Sequence, residues 1–247
     1  MPLFRHRRAT PGYTIPAGFT GLAEFAAVQS WAPVPNPRPF DGHLEDAVHD
    51  ISRAMYGAAR TTSAVARPGI RVGDTVFPDA FRGTMNGRTV TVANAWTSIE
   101  PEIQHSTGDM KGTSVCAVEL PSLLPFLCIQ PRRLPAVAPI RATPTGNPAF
   151  DEQFVINAVP TTGSAGAALT PDVQQRIMAH DDWVFWAERY LLGCVGRGVF
   201  RSAEEVGQRI SEVLGVVTAI PAAVLPDHVD HSDDDLIARV KDGRRGR

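Results

Sequence analysis

The chain has 247 residues, of which 43% are hydrophobic and 20% are charged, and its formal net charge is −2. This composition is typical of a globular protein, and the charge excludes wholesale binding to nucleic acid or to an anionic membrane surface. No stretch approaches the roughly 18 apolar residues of a membrane span, and the basic N-terminus lacks an apolar signal-peptide core. We therefore predict a cytoplasmic protein with no integral membrane segment.

Pattern and composition divide the chain into two tails and one domain. The tails are rich in charged or turn-forming residues and show no apolar periodicity, which is typical of solvated segments. We predict a basic tail at 1–19, a single α+β domain at 20–226 and a polar charged tail at 227–247. Within the domain we expect a helical part at 20–60, a sheet with one inserted helix at 69–200 and a packing helix at 202–220.

Two helices are predicted before the sheet. Thr20 is placed to cap a short helix that ends near Trp31, and four prolines in 32–40 then predict an extended linker. A second helix is predicted over Gly42–Tyr56, because its apolar residues recur at helical spacing along one stripe. Gly57 follows it, at the position where a C-terminal glycine is common.

The clearest local signal is a β-hairpin. Phe81–Met85 and Arg88–Trp96 alternate in polarity and flank Asn86-Gly87, the dipeptide favoured in type I′ turns because both central residues need positive φ. The hairpin carries no general acid, base or nucleophile. We therefore interpret it as scaffold.

Further strands and one helix are predicted after the hairpin. Thr170 and Pro171 mark a helix start, as a cap followed by the first helical position. A second hairpin is predicted with a tight turn over Ala187–Arg189. The remaining predictions are a loop at 99–112, strands at 113–120, 124–130 and 152–159, an irregular connection at 131–148, and the second hairpin's strands at 183–186 and 190–195.

The last helix has the strongest pattern in the chain. Ser202 and Glu205 match a capping box, an apolar stripe runs from Val206 to Val217, and Pro221 ends it. Because the strands come mostly in consecutive pairs, the order of elements predicts an α+β fold. Its antiparallel β-sheet is built from consecutive hairpins, with the helices packed on one face.

Motifs for cofactor chemistry are weak. The glycines of Gly193–Gly198 do not match the dinucleotide spacing, and Lys111–Ala117 enters a strand rather than the helix of a phosphate loop. His228 and His231 are the weak candidates for a metal site, since they lie three apart beside carboxylates. A solvated acidic tail explains that run better, so we predict no metal and no cofactor.

Cysteines and tryptophans complete the candidate residues. Cys116, Cys128 and Cys194 lie in apolar runs at wide spacing, which predicts buried thiols rather than nucleophiles or disulfides. Trp183 and Trp186 lie three apart on a strand and so face opposite sides of the sheet. One is expected in the core, and the other is a candidate contact residue for a partner.

Seven blocks of sequence, in a fixed order along the chain, carry a resemblance to a known family. They are "FAAVQSWAPVPN", "FRGTMNGRTVTV", "VCAVELPSLLPFLCIQP", "FDEQFVINAV", "LTPDVQQRIM", "DDWVFWAERYLLGCV" and "VLGVVTAIPAAV". Over roughly 22–226 the chain resembles a widespread actinobacterial family of uncharacterised proteins. The last two blocks are similar to a broader bacterial domain of unknown function. The resemblance implies no catalytic residue.

Two functions remain open at this point. The leading interpretation is a non-catalytic binding or assembly module that acts through a protein partner or by self-association. The alternative is a small-molecule-binding protein or enzyme that uses the open face of the sheet, with a Cys or His in the pocket. A flat apolar patch would favour the first function, and a deep pocket with converging titratable side chains the second.

Overall fold

The computed structural model describes residues 20–34, 42–56, 75–98, 110–134, 144–158 and 167–221. The predicted tails, with His228 and His231, lie outside these ranges. The helices are α1 (Gly21–Gln29), α2 (Gly42–Met55), α3 (Pro148–Gln153), α4 (Pro171–Met178) and α5 (Ala203–Ala219). The strands are β1 (Ala32–Pro33), β2 (Thr75–Met85), β3 (Arg88–Ser98), β4 (Met110–Pro131), β5 (Phe154–Ala158) and β6 (Trp183–Arg197).

Six strands form one sheet in which every pair is antiparallel. The first four strands lie in chain order, and β4 is at the centre because β3, β5 and β6 all pair with it. Its first half pairs with β3 and β6, and its second half with β5 and β6. Hence β3 and β5 share one side of β4, and β6 lies along the other.

The predicted Asn86-Gly87 hairpin is confirmed. Both residues have positive φ, 51° and 72°, as a type I′ turn requires. The two strands are longer than the alternation indicated, since β2 begins at Thr75 and β3 continues to Ser98.

Both faces of the sheet are buried. Val90 and Val92 contact a cluster that includes seven of the chain's aromatic side chains, and we call this side the aromatic face. Ala93 and Ala95 point the other way, into a cluster rich in alanine that we call the alanine face. Residues 90–97 are buried throughout, so each face needs its own cover.

The α+β class and the antiparallel sheet are confirmed, and the placement of the helices needs one correction. The helices α1, α3, α4 and α5 contribute to the aromatic face, whereas α2 covers the alanine face. The prediction that all helices share one face is wrong for α2, because β3 and β4 are apolar on both sides. On the aromatic face α1 packs against α5, so closely that a Cβ on Gly21 would be 2.5 Å from the Ser202 nitrogen.

The strand predictions around β4 and β6 also need correction. The two strands predicted at 113–120 and 124–130 are one strand, and the hairpin predicted over 183–195 is one 15-residue strand, β6. The stretch predicted as irregular up to Pro148 ends in α3, whose Asn147 side chain accepts a hydrogen bond from Phe150 N. The strand predicted from Glu152 begins two residues later, because α3 continues to Gln153.

Two of the three predicted helix caps are confirmed. The side chains of Thr170 and Ser202 each accept a hydrogen bond from the backbone N–H three residues on. In the predicted box, Glu205 Oε2 accepts from Arg201 N rather than from Ser202 N. Thr20 makes no cap, because its hydroxyl donates to Glu24 Oε1 at 2.6 Å instead.

None of the helices in these ranges combines the length and the hydropathy needed to cross a membrane.

Candidate functional site

The two tryptophans proposed as contact residues lie at the start of β6 and face opposite sides of the sheet. Trp183 is 5% exposed and belongs to the aromatic face, while Trp186 is half-buried against the alanine face. Neither side chain is fully exposed. Their role in binding a partner stays a prediction.

The strands β4 and β6 form a ribbon that is sharply bent. In a straight strand Trp183 and Cys194 would be about 36 Å apart, at about 3.3 Å per residue. Yet the Arg209 guanidinium carbon lies 3.6 Å from the centroid of the Trp183 ring, and Arg209 Nη1 lies 3.8 Å from Cys194 Sγ. One arginine side chain contacts both, so the ribbon must bend between them.

The bend coincides with an irregular part of the β4–β6 ladder. Between Glu119 and Leu124 the ladder advances five residues on β4 for two residues on β6. Pro121 lies in this bulge, where neither β3 nor β5 pairs with β4. A proline cannot donate a ladder hydrogen bond, and bulges increase the bend of a strand. Proline and polar residues at this point predicted turns. In the structure they mark a bend, and β4 and β6 remain paired on both sides of it.

A cleft lies where the bent ribbon meets α5, and we call it the Arg209 cleft. Its volume is about 310 Å³. Ser114, Trp183 and Phe200 are among the buried residues that line it. Its charged or titratable lining residues are His180, Arg197, Arg201, Glu205, Arg209 and Glu212.

Arg209 lines the cleft and packs against two aromatic rings. Its guanidinium stacks on Trp183, and it lies within 6.0 Å of the Phe200 ring centroid. A Cβ on Gly196 would be 2.2 Å from Arg209 Nη1, so only glycine leaves room for this position. The indole and the glycine together fix where the positive charge lies.

The acidic residues of the cleft are engaged elsewhere. Glu205 accepts a hydrogen bond from Arg201 N at 2.8 Å, and Glu212 accepts from Gln208 Nε2 at 2.9 Å. Within the described part of the chain, Arg209 forms no ion pair and its one hydrogen bond goes to the Cys194 sulfur. A thiol sulfur is a weak acceptor, so the guanidinium retains donor capacity.

His180 stacks on the same indole. The ring centroids of His180 and Trp183 are 3.8 Å apart and the planes are inclined by 5°. Burial lowers the pKa of His180, Arg209 lowers it further, and the carboxylates of Glu212 and Asp182 oppose both effects. The imidazole is therefore neutral at neutral pH, which avoids a second cation beside Arg209.

A larger cleft of about 500 Å³ lies beside the C-terminal end of α2. Its arginines already have partners. The Arg197 side chain donates to the Met55 carbonyl oxygen and lies over the Tyr56 ring, and Arg133 forms an ion pair with Asp181 at 3.1 Å. These groups serve to cap α2 and to hold the turn before β6, so the Arg209 cleft is the better candidate site.

All three cysteines are buried free thiols, as predicted. Burial raises the pKa of Cys128 and of Cys194 to about 12, and burial together with the neighbouring Cys194 raises that of Cys116. Protonated, inaccessible thiols are poor nucleophiles. None of the three lines the Arg209 cleft.

The sequence carries one signal for this site, a charged residue within an apolar stripe. Arg209 lies three residues after Val206 and four before Val213, so it is a charged residue on the buried stripe of α5. Of the two tryptophans predicted as contact residues, Trp183 lines the cleft and Trp186 does not. The predicted His228 and His231 lie outside the described residues, and the described residues include no group of three or more potential metal ligands.

Comparison with known proteins identifies no family. No protein-family model matches the chain, and no curated protein matches it. Among solved structures, the chain is similar to the mycobacterial trehalose monomycolate transport factor A, TtfA, at 11% identity and a TM-score of 0.49. The similarity covers 83% of this chain and 94% of that one. At this identity and score it identifies neither a family nor an activity, so the resemblance to an actinobacterial family stays a prediction.

Proposed function

We propose that the protein is a non-catalytic binding protein that holds a small polar ligand in the Arg209 cleft. The observation that carries this proposal is the cleft itself, with a volume of about 310 Å³ and a polar lining around one fixed arginine. Ligand sites generally range from roughly 300 to 1,000 Å³ and use a few well-placed polar groups for orientation. A metabolite-sized ligand fits this volume, and a folded partner does not.

The described surface gives less support to docking of a protein partner. Val28, 77% exposed, is the large hydrophobic side chain that stands out from the surface of the described ranges. A single side chain does not form the extended apolar patch that marks an interface. Partner binding and self-association stay predictions, and they would have to use a surface other than an extended apolar patch of the described residues.

Ligand retention tests the proposal. The full chain is equilibrated with a metabolite extract, passed over a desalting column and denatured, and the released molecules are identified by mass spectrometry. The Gln208→Trp variant places a large side chain in the cleft from an exposed position on α5. We expect the wild-type protein to retain specific metabolites and Gln208→Trp to lose them.

Ser211→Trp is the matched control, because Ser211 is exposed on the same helix but lies outside the cleft. It should retain the same metabolites as the wild type, and both variants should melt at the wild-type temperature. Retention of nothing by the wild type, or equal retention by Gln208→Trp, would contradict the proposal. Binding of a purified protein partner together with such a result would favour the other interpretation.

A further inference from the structure

The arrangement around Arg209 indicates which chemical class of ligand the cleft takes. We infer that the ligand carries an oxyanion, a carboxylate or a phosphate, and that Arg209 binds it. This inference rests on the proposed function, because it assigns chemistry to the same cleft.

The first argument concerns hydrogen-bond donors. A guanidinium has five N–H donors in one plane. The guanidinium carbon lies 3.6 Å from the centroid of the Trp183 ring, and a guanidinium stacked on an aromatic ring keeps the N–H groups in its own plane available as donors. Among the described residues they meet only the sulfur of Cys194, at 3.8 Å. A carboxylate or a phosphate can accept two parallel hydrogen bonds from such a group through two of its oxygens, which is the arrangement that arginine favours.

The second argument concerns the neighbouring charges. Three arginines and two glutamates line the cleft, and the imidazole of His180 is neutral there. Glu205 and Glu212 have hydrogen-bond partners on their own helix or at its start, and neither forms an ion pair with Arg209. The cleft therefore has a surplus of positive charge, which attracts an anion and opposes a cation.

The third argument concerns preorganisation. Arginine has a long and mobile side chain, and ordering it on binding costs free energy. Here the indole of Trp183 and the space above Gly196 already hold the guanidinium in place, half-buried beside the sheet. An anion that binds Arg209 does not have to order it.

The test is a titration of the ¹⁵N-labelled full chain with sodium phosphate and, separately, with sodium succinate. Sodium chloride at matched ionic strength serves as the reference. We expect either anion to shift the indole N–H signal of Trp183 and the backbone amides of Gly196 and Gly198. The stronger of the two titrations then distinguishes a phosphate ligand from a carboxylate ligand.

Variants at two arginines assign the binding group. Arg209→Gln should weaken anion binding about tenfold or more, the loss expected for a charged hydrogen bond, and Arg209→Lys should weaken it less. Arg176→Gln is the matched control, because Arg176 is an exposed arginine on α4 paired with Asp172, and it should not change binding. Equal loss in the Arg176 and Arg209 variants, or no loss in either, would overturn the inference.

Chemical footprinting of arginines in the wild-type protein tests the same inference without a variant, in case Arg209→Gln does not fold. Phenylglyoxal modifies accessible arginines, and peptide mass spectrometry measures the extent at each one. The anion should protect Arg209 and leave Arg176 unprotected. Equal modification of Arg209 with and without the anion would overturn the inference.

The two proposals can fail separately. If metabolites lost in Gln208→Trp carry no anionic group, the cleft binds ligands and the assignment of an oxyanion is wrong. If phosphate or succinate binds at Arg209 and no metabolite is retained, the chemistry at Arg209 is right and the proposed function is wrong.

Discussion

The two faces of the sheet are packed in different ways. On the aromatic face four helices cover large side chains, and rings pack against rings, as in Phe25 and Trp31 at 5.2 Å and Phe150 and Phe154 at 5.0 Å. On the alanine face one helix, α2, lies over small side chains, and buried hydroxyls cross from helix to sheet.

The difference shows two ways in which a helix is positioned on a sheet. Large complementary side chains fix α5 by volume, since any shift would open cavities. The small residues under α2 provide few interlocking contacts, so hydrogen bonds set the position of this helix on the sheet instead. Ser52 bonds to Thr113, and His49 bonds to Thr75, which bonds in turn to Thr97, each at 2.9 Å.

The largest effect is expected from a cavity on the aromatic face. Ile210 is fully buried at the centre of the α5 stripe, so Ile210→Ala should lower the free energy of unfolding by about 2–5 kcal/mol. Ser202→Ala, which removes only the cap of the same helix, should cost about 1 kcal/mol. Denaturant midpoints measure both. A smaller loss for Ile210→Ala than for Ser202→Ala would mean that volume does not fix α5.

An intermediate effect is expected from the hydroxyl pair on the alanine face. Ser52→Ala leaves the buried Thr113 hydroxyl without this partner and should cost about 1–3 kcal/mol, as should Thr113→Val. The double variant leaves neither hydroxyl, so it should cost less than the sum of the single variants. A double-mutant cycle measures this. If the double variant lost as much unfolding free energy as the two single variants together, the hydrogen bond would not position α2.

The smallest effect is expected from His180, at the rim of the aromatic face. Because the folded state lowers its pKa, the unfolded state binds a proton more readily, and stability falls as the pH decreases below the ordinary value of about 6.5. Arg209 favours this effect, while Glu212 and Asp182 reduce it. Melting temperatures at about pH 7.5 and pH 5 should therefore differ more in the wild type than in His180→Gln. The same difference in both proteins would assign the pH dependence to other groups.

Much of the fold could be predicted because its signals are local. The Asn86-Gly87 turn, the Thr170 and Ser202 caps and the α5 stripe each depend on a few neighbouring residues, and all are confirmed. Burial of the second face of the sheet was not predicted, because the alternation of residues in β3 indicates a strand that is buried on one side only. In the structure Ala93 and Ala95 are small enough for α2 to pack directly on them. Nothing in the local pattern indicates where a distant helix packs.

The site could be predicted less well. Pro121 and the polar residues after Ala187 predict that the chain turns, but whether a ladder breaks or bends there depends on the partner strand. The contact between Arg209 and Trp183 follows from that bend, so no local spacing predicts it. Arg209 within an apolar stripe was the available sign, since a charged residue on the side of a helix that faces the core needs a specific reason.

The packing of α1 against α5 has a consequence for synthesis on the ribosome. Gly21 contacts Ser202, so α1 cannot pack against α5 until a segment roughly 180 residues further along the chain has been translated. At about 5–20 residues per second that interval is roughly 10–40 s. For that time Leu22 and Phe25, both buried in the finished protein, lack their final cover and are accessible to chaperones.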